Sequence, residues 1–180
     1  MADRAPNPYD FLPAKPSFEL TSDDVTAGGT LAEAQVFNGF GLTGGNLSPH
    51  LRWSGAPEAT AGYVVSVFDP DAPTGSGFWH WVVVNLPADV TELPAGAGSG
   101  DDALPGAGAF HVRSDYGAPA YGGPAPLAAP KSHRYIFTVH ALDEPLDVTP
   151  DVSPAVVGFN LFFHTLARAQ FTAEYAIPES

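Results

Sequence analysis

Cysteine is absent from this 180-residue chain, so neither disulfides nor thiol chemistry is available to it. Basic residues are scarce. Seven Lys+Arg stand against 20 Asp+Glu, a formal charge of -13, and such a surface repels nucleic acid and anionic membranes over any broad contact. That excludes DNA or RNA as a partner. No run approaches the ~20 apolar residues of a transmembrane helix, and the opening MADRAPNPYDFLPAKP lacks the apolar core of a signal peptide. The chain therefore reads as soluble and cytoplasmic. It has no internal repeat, no GxSxG elbow, no P-loop and no HExxH pair.

What is present fits one domain, long enough to bury ~70% of the surface of its unfolded form. Residues 1–16 carry four prolines and little periodicity, as an extended arm able to wrap the domain or a partner; residues 17–180 form the domain proper. Ser17–Ser22 alternates apolar and polar residues as a half-buried strand does, and Leu51–Ser54 reads as a second short strand. Tyr63–Asp69, His80–Asn85 and Arg134–Leu142 are β-branched runs that read as long strands. Residues 94–108 are mostly Ala, Gly, Pro and Asp, a loop of low intrinsic order.

One helix follows Ser153-Pro154, where Ser caps the first amides and Pro takes the first helical position. Val156, Phe159, Phe163 and Leu166 then recur at three- and four-residue steps, an apolar face for docking on a sheet. Gln170–Ile177 closes the chain with strand-like alternation. Many strands and one late helix, without alternating βαβ units, predict a mainly β, antiparallel β-sandwich or open barrel.

Chemistry concentrates in FDPDAPTGSGFWHWVVVNLP at 68–87. Asp69 leaves one predicted strand and His80 opens another, so antiparallel pairing puts both at one rim of a sheet. His133 and Tyr135, two residues apart, share a face while Arg134 points away. The loop between, YGAPAYGGPAP at 116–126, has glycines that admit close backbone approach and prolines that stiffen it. Imidazole, phenol and loop amides are donors suited to a phosphate-sized anion. A carboxylate beside an imidazole raises its proton affinity, so anion binding should tighten towards pH 6.

For Asp69 and Asp71 the alternative is turn capping. His80, His133 and Asp69 could also form a two-His-one-carboxylate metal set, but no close ligand pair at helical spacing supports it. A hydrolase would need a nucleophile near His80, and none can be named. His111, His140 and His164 have no comparable partners and read as structural.

The motifs DPDAPTG at 69–75, HWVVVN from His80, YGGP at 121–124 and HRYIFTVHAL at 133–142, with Asn46-Leu-Ser-Pro49 and LRWSG at 51–55, resemble the phosphatidylethanolamine-binding proteins. They stand in family order over residues 17–177, and the compact link at 74–79 is similar to the bacterial and archaeal branch. The resemblance implies a large antiparallel sheet packed on a smaller one with peripheral helices, and an anion site for phosphate, acetate or a phospholipid headgroup. By motif, Asp69 and His80 line it, Gly123 and Pro124 supply the loop wall, and His133 and Tyr135 supply donors, while Asp71 braces the turn. The loop Leu127–Ser132 departs from the family in lacking glycine, with Lys131 near the mouth. No catalysis, metal or cofactor is implied. The family also implies an alternative role, a kinase- or protease-inhibitor-like regulator that uses the pocket to sense or dock a protein partner, and it admits a homodimer.

Overall fold

The computed structural model describes residues 4–126 and 131–178. Among these described residues eight strands follow in chain order: β1 (Glu19–Thr21), β2 (Leu51–Ser54), β3 (Gly62–Asp69), β4 (Phe78–Pro87), β5 (Glu92–Leu93), β6 (Phe110–His111), β7 (His133–Leu142) and β8 (Thr165–Tyr175). They form two antiparallel sheets, one of three strands ordered β1-β2-β5 and one of five ordered β6-β4-β3-β7-β8. This is the mainly β sandwich that the strand pattern predicts. No helix among the described residues is long and apolar enough to cross a membrane.

The main core lies between the sheets, where Leu51, Trp53 and Leu93 of the small sheet meet Val65, Val67, Trp81, Val83, Phe137 and Val139 of the large one. A second cluster covers the outer face of the large sheet: Val64, Val82, Val84 and Leu142 pack with Leu146 and Val157. Burial on both faces explains why β3 and the middle of β4 and β7 are continuous β-branched runs rather than alternating ones. β8, at the sheet edge, keeps the alternation.

The helix α1 (Pro154–His164) starts as expected, with the Ser153 hydroxyl accepting from the Val156 amide and Pro154 in the first turn. Its docking face differs from the one read from periodicity. Pro154 and Val157 are buried, whereas Val156, Phe159 and Phe163 are exposed and Leu166 belongs to β8. A helix that is apolar around most of its girth offers no unique face to periodicity, so the sheet surface chooses the stripe.

Residues 94–108 are also more ordered than their composition implies. Two single 3-10 turns, Ala97–Ser99 and Asp101–Ala103, pack there, and Gly98 is buried so closely that any Cβ would lie 2.4 Å from the Tyr121 Cβ. The amide of Gly98 donates to the Ser48 hydroxyl and its carbonyl accepts from Tyr121. Near the start of the chain a 3-10 turn at Pro8–Phe11, capped by Asn7, sets Tyr9 against the outer face of the large sheet.

Candidate functional site

Three strand ends converge at one rim of the large sheet: the C-terminal end of β3 and the N-terminal ends of β4 and β7. In β3, Val67 faces the inter-sheet core and Phe68 the outer layer, which returns Asp69 to the inner side. In β7, Tyr135 and Phe137 face inward, and His133 continues their face.

His80 needs a further device. Val67 pairs with Trp81 and Phe68 with Trp79, so His80 is the extra residue of a β-bulge. Strict alternation from Val82, which packs on the outer cluster, would turn His80 outward too. The bulge instead brings its ring edge-on to Tyr135, with centroids 5.1 Å apart.

The side chains are held individually. His133 donates from Nδ1 to Asp69 Oδ2 at 2.7 Å, and both residues are buried. Asp69 Oδ1 accepts the amides of Asp71 and Ala72, so one carboxylate both closes the DPDA turn and orients an imidazole. The partner of Asp69 is therefore His133 rather than His80. The His80 Nδ1 lies 2.7 Å from the Gly122 carbonyl and 3.2 Å from that of Gly123, and since carbonyls only accept, Nδ1 carries the proton.

Burial pushes the proton affinity of His80 below its ordinary value, with the Gly122 carbonyl and the Asp69 charge opposing but not cancelling it. A raised affinity, expected from a neighbouring carboxylate, is not what this ring shows. In its neutral form His80 presents Nε2 as an acceptor. Burial, with the Asp69 charge adding, pushes the phenols of Tyr116 and Tyr135 upward, so both stay protonated donors.

Asp71 sits outside this arrangement. It accepts from the Arg134 backbone amide, Nε and Nη2, and these bonds outweigh burial to hold its carboxyl below the usual range. Arg134, which strand alternation turns away from His133, thus clamps the turn, and it also donates to the Ala5 carbonyl.

Between these groups lies a cavity of about 220 Å³, lined by Asp69, His80 and His133 together with Phe40, Thr74, Phe78, Tyr116 and Ala125. Tyr116 is the centre of its aromatic wall. It stacks on Phe37 at 4.1 Å, meets Phe78 and His80 edge-on, and donates from its hydroxyl to the Gly123 carbonyl.

Gly123 and Pro124 stand behind that wall rather than in the lining. The Gly123 amide donates to Asn46 Oδ1, and the Pro124 carbonyl accepts from Phe37. A Cβ on Gly123 would lie 2.0 Å from the Gln35 carbonyl oxygen. Asn46, held at φ 48°, is the residue that ties this loop down. Of the loop that departs from the family pattern, residues 127–130 lie outside the described ones.

Tyr135 is 1% exposed and stands behind the cavity lining rather than in it, and among the described residues its hydroxyl has no hydrogen-bond partner. Other buried polar atoms share that state among the described residues, including the Trp53 and Trp81 indole nitrogens, but the Tyr135 ring is the one packed on His80. Among the described residues no three His, Cys, Asp or Glu side chains converge as metal ligands.

Two histidines read as partnerless have partners. His111 Nδ1 lies 2.8 Å from Asp101 Oδ1, and His164 Nδ1 lies 3.0 Å from Asp143 Oδ1. The first pair depends on the folded 94–108 segment. Among the described residues the His140 ring bonds only to the Thr165 hydroxyl.

What sequence reasoning missed at the cavity are Tyr116, Phe78 and Phe40, while Asn46, behind the lining, was read only as part of the Asn46-Leu-Ser-Pro49 motif. Tyr116 opens the very loop quoted for its glycines, and Phe78 stands two residues before His80, so position was the available signal.

Comparison with known proteins agrees with this architecture. A family model described as "PBP: Phosphatidylethanolamine-binding protein" matches residues 21–176. The UPF0098 protein YbhB of Escherichia coli is 53% identical over 88% of this chain and 99% of its own length. Among solved structures, E. coli YbcL, described as a new member of the mammalian PEBP family, superposes with a TM-score of 0.86. It is 46% identical over 90% of this chain and 99% of that one. The homolog CT736 from Chlamydia trachomatis gives a TM-score of 0.75 at 26% identity, covering 91% of this chain and 100% of that one. The chain thus belongs to the phosphatidylethanolamine-binding protein family, alongside its bacterial YbhB and YbcL members.

Proposed function

We propose that this protein is a non-enzymatic binding protein whose rim cavity takes a singly protonated phosphate group, carried on a small molecule or a lipid headgroup. The observation that carries the reading is the buried hydroxyl of Tyr135, without a partner among the described residues, on a ring packed edge-on against His80, which lines the cavity. An orphaned buried hydroxyl costs ~1–3 kcal/mol, a cost that a bound acceptor removes.

The donor set supports the protonation state. His80 and His133 both commit Nδ1 to protein acceptors, which leaves each Nε2 as the free nitrogen. With His80 neutral, its Nε2 accepts the phosphate's proton while Tyr135 donates to another oxygen. Asp69 would repel a dianion and tolerates a monoanion better. The cavity's size, below the ~300–1,000 Å³ of drug-sized sites, suits a headgroup rather than a whole lipid.

A binding role rather than catalysis is supported by the company of the two imidazoles. Among the described residues no hydroxyl hydrogen-bonds to either ring, so the nucleophile-base contact of a hydrolase has no counterpart. Calorimetric titration of phosphorylethanolamine into the wild type and His80→Ala tests the reading. One-to-one binding lost in the variant supports it; equal binding, or none in the wild type, refutes it.

A further inference from the structure

The outer face of the large sheet carries a second cavity, larger than the first at about 350 Å³. The two lie back to back across β3 and β4: Asp69 and His80 line the inner cavity, and Phe68 and Trp79 line the outer one. Its roof is the 3-10 turn and the following Leu12 and Pro13, and its side wall is α1, through Gly158, Leu161 and Phe162.

The lining is largely aromatic and aliphatic, yet it includes Lys15 and Arg168 and no carboxylate. In a chain with seven basic residues and a formal charge of -13, two cations meeting at one apolar cavity are conspicuous. The other arginines of known geometry are mostly paired: Arg4 with Glu174, Arg52 with Glu92, and Arg134 with Asp71. Among the described residues neither Lys15 nor Arg168 makes an ion pair. Arg168 instead donates to the Pro13 carbonyl and lies 5.3 Å from the Tyr9 ring centre. That contact fixes the guanidinium at the cavity without neutralising it.

We propose that this outer cavity is a second ligand site, one that takes a small amphipathic anion with its apolar body between the sheet and α1 and its anionic head at Lys15 and Arg168. An apolar cavity of ~150 Å³ takes up benzene, so this one suits a body of about eight to ten carbons. His140, whose Nδ1 is engaged by Thr165, supplies a further polar contact within the cavity. Burial and the Arg168 charge keep its ring neutral, leaving the two cations as the charged groups.

Gly158 gives a clean test. A Cβ there meets no atom within 4 Å, so Gly158→Leu fills the cavity from the helix without displacing backbone, and it replaces a poor helix former. Decanoate, decyl phosphate and decanol are titrated calorimetrically into the wild type, Gly158→Leu, Lys15→Ala and His80→Ala. The expected result is one-to-one binding of decanoate or decyl phosphate, the better of the two identifying the head group. Decanol should bind at least tenfold more weakly. Gly158→Leu should lose at least tenfold in affinity, Lys15→Ala severalfold, and His80→Ala nothing.

No binding of either anion overturns the proposal, as does equal binding of decanol or indifference to Gly158→Leu. Loss only in His80→Ala would place the probes in the inner cavity, and wild-type dimers that Gly158→Leu dissociates, with no anion uptake, would make the face a subunit contact. Either result also overturns it.

Discussion

Asp69 and His133 form a buried pair, Nδ1 to Oδ2 at 2.7 Å, in which the carboxylate reserves its second oxygen for the amides of Asp71 and Ala72. Turn closure and imidazole orientation thus depend on one side chain. Asp69→Ala leaves three donors without an acceptor and should cost about 3 kcal/mol or more in urea unfolding. Asp69→Asn keeps an oxygen for the turn and should cost clearly less. Equal losses would show that the turn bonds contribute little.

The pH dependence of stability follows from histidines buried in the neutral form. His140 is lowered from 6.5 to about 3 by burial and the Arg168 charge, and His80 and His111 are lowered chiefly by burial. Below pH 6.5 the unfolded chain takes up protons that the folded one refuses, so stability is full above 6.5 and falls as the pH drops towards about 3. The loss from His140 alone is up to ~1.4 kcal/mol per pH unit. Urea midpoints at pH 7 and pH 4.5 should show it, and His140→Leu should flatten the slope.

Ligand binding should run the opposite way. The proposed complex holds one proton more than a free phosphate dianion plus neutral His80, whichever partner carries it. With a phosphomonoester second pKa near 6, affinity should rise as pH falls from 8 to 6. Calorimetry in buffers of different ionisation heats should report proton uptake, and proton release would contradict the charge state.

Gly123→Ala would set a Cβ 2.0 Å from the Gln35 carbonyl oxygen and 2.7 Å from the Phe37 amide nitrogen. Backbone must move, at a cost of about 1–3 kcal/mol. The shift should also loosen Tyr116, which donates to the Gly123 carbonyl, and so weaken anion binding though residue 123 lies behind the lining. Unchanged unfolding and binding would show that the loop relaxes freely.

The helix offers a paired comparison. Phe159→Ser and Phe163→Ser, on the exposed side, should change stability by no more than about 0.5 kcal/mol, whereas Val157→Ala should cost more and Ser153→Ala about 1 kcal/mol through the lost cap.

Those substitutions also mark where the sequence was readable. Ser153 and Pro154 state the helix start because capping is local chemistry, and β3, β4 and β7 were visible because burial on both faces selects β-branched runs. The docking face of α1 was not visible, since a helix apolar on most sides fits several surfaces. At the site, antiparallel pairing sufficed to put Asp69 and His80 at one rim, and strand alternation to put His133 and Tyr135 on one face. It could not foresee the bulge that turns His80 inward, nor that Asp69 would bond to His133 instead, because both depend on pairing register between strands. The order of residues 94–108 came from tertiary contacts, Gly98 with Ser48 and Tyr121 and Asp101 with His111, which composition does not encode.

The most direct test joins affinity and stability in Tyr135→Phe, measured at pH 6 by urea unfolding and by titration with phosphorylethanolamine. Deleting a buried hydroxyl without a partner should leave the free protein as stable or up to about 1 kcal/mol more stable, while the ligand binds at least tenfold more weakly. A destabilised variant that binds as tightly as the wild type would contradict the account, because the hydroxyl would then serve the fold and not a guest.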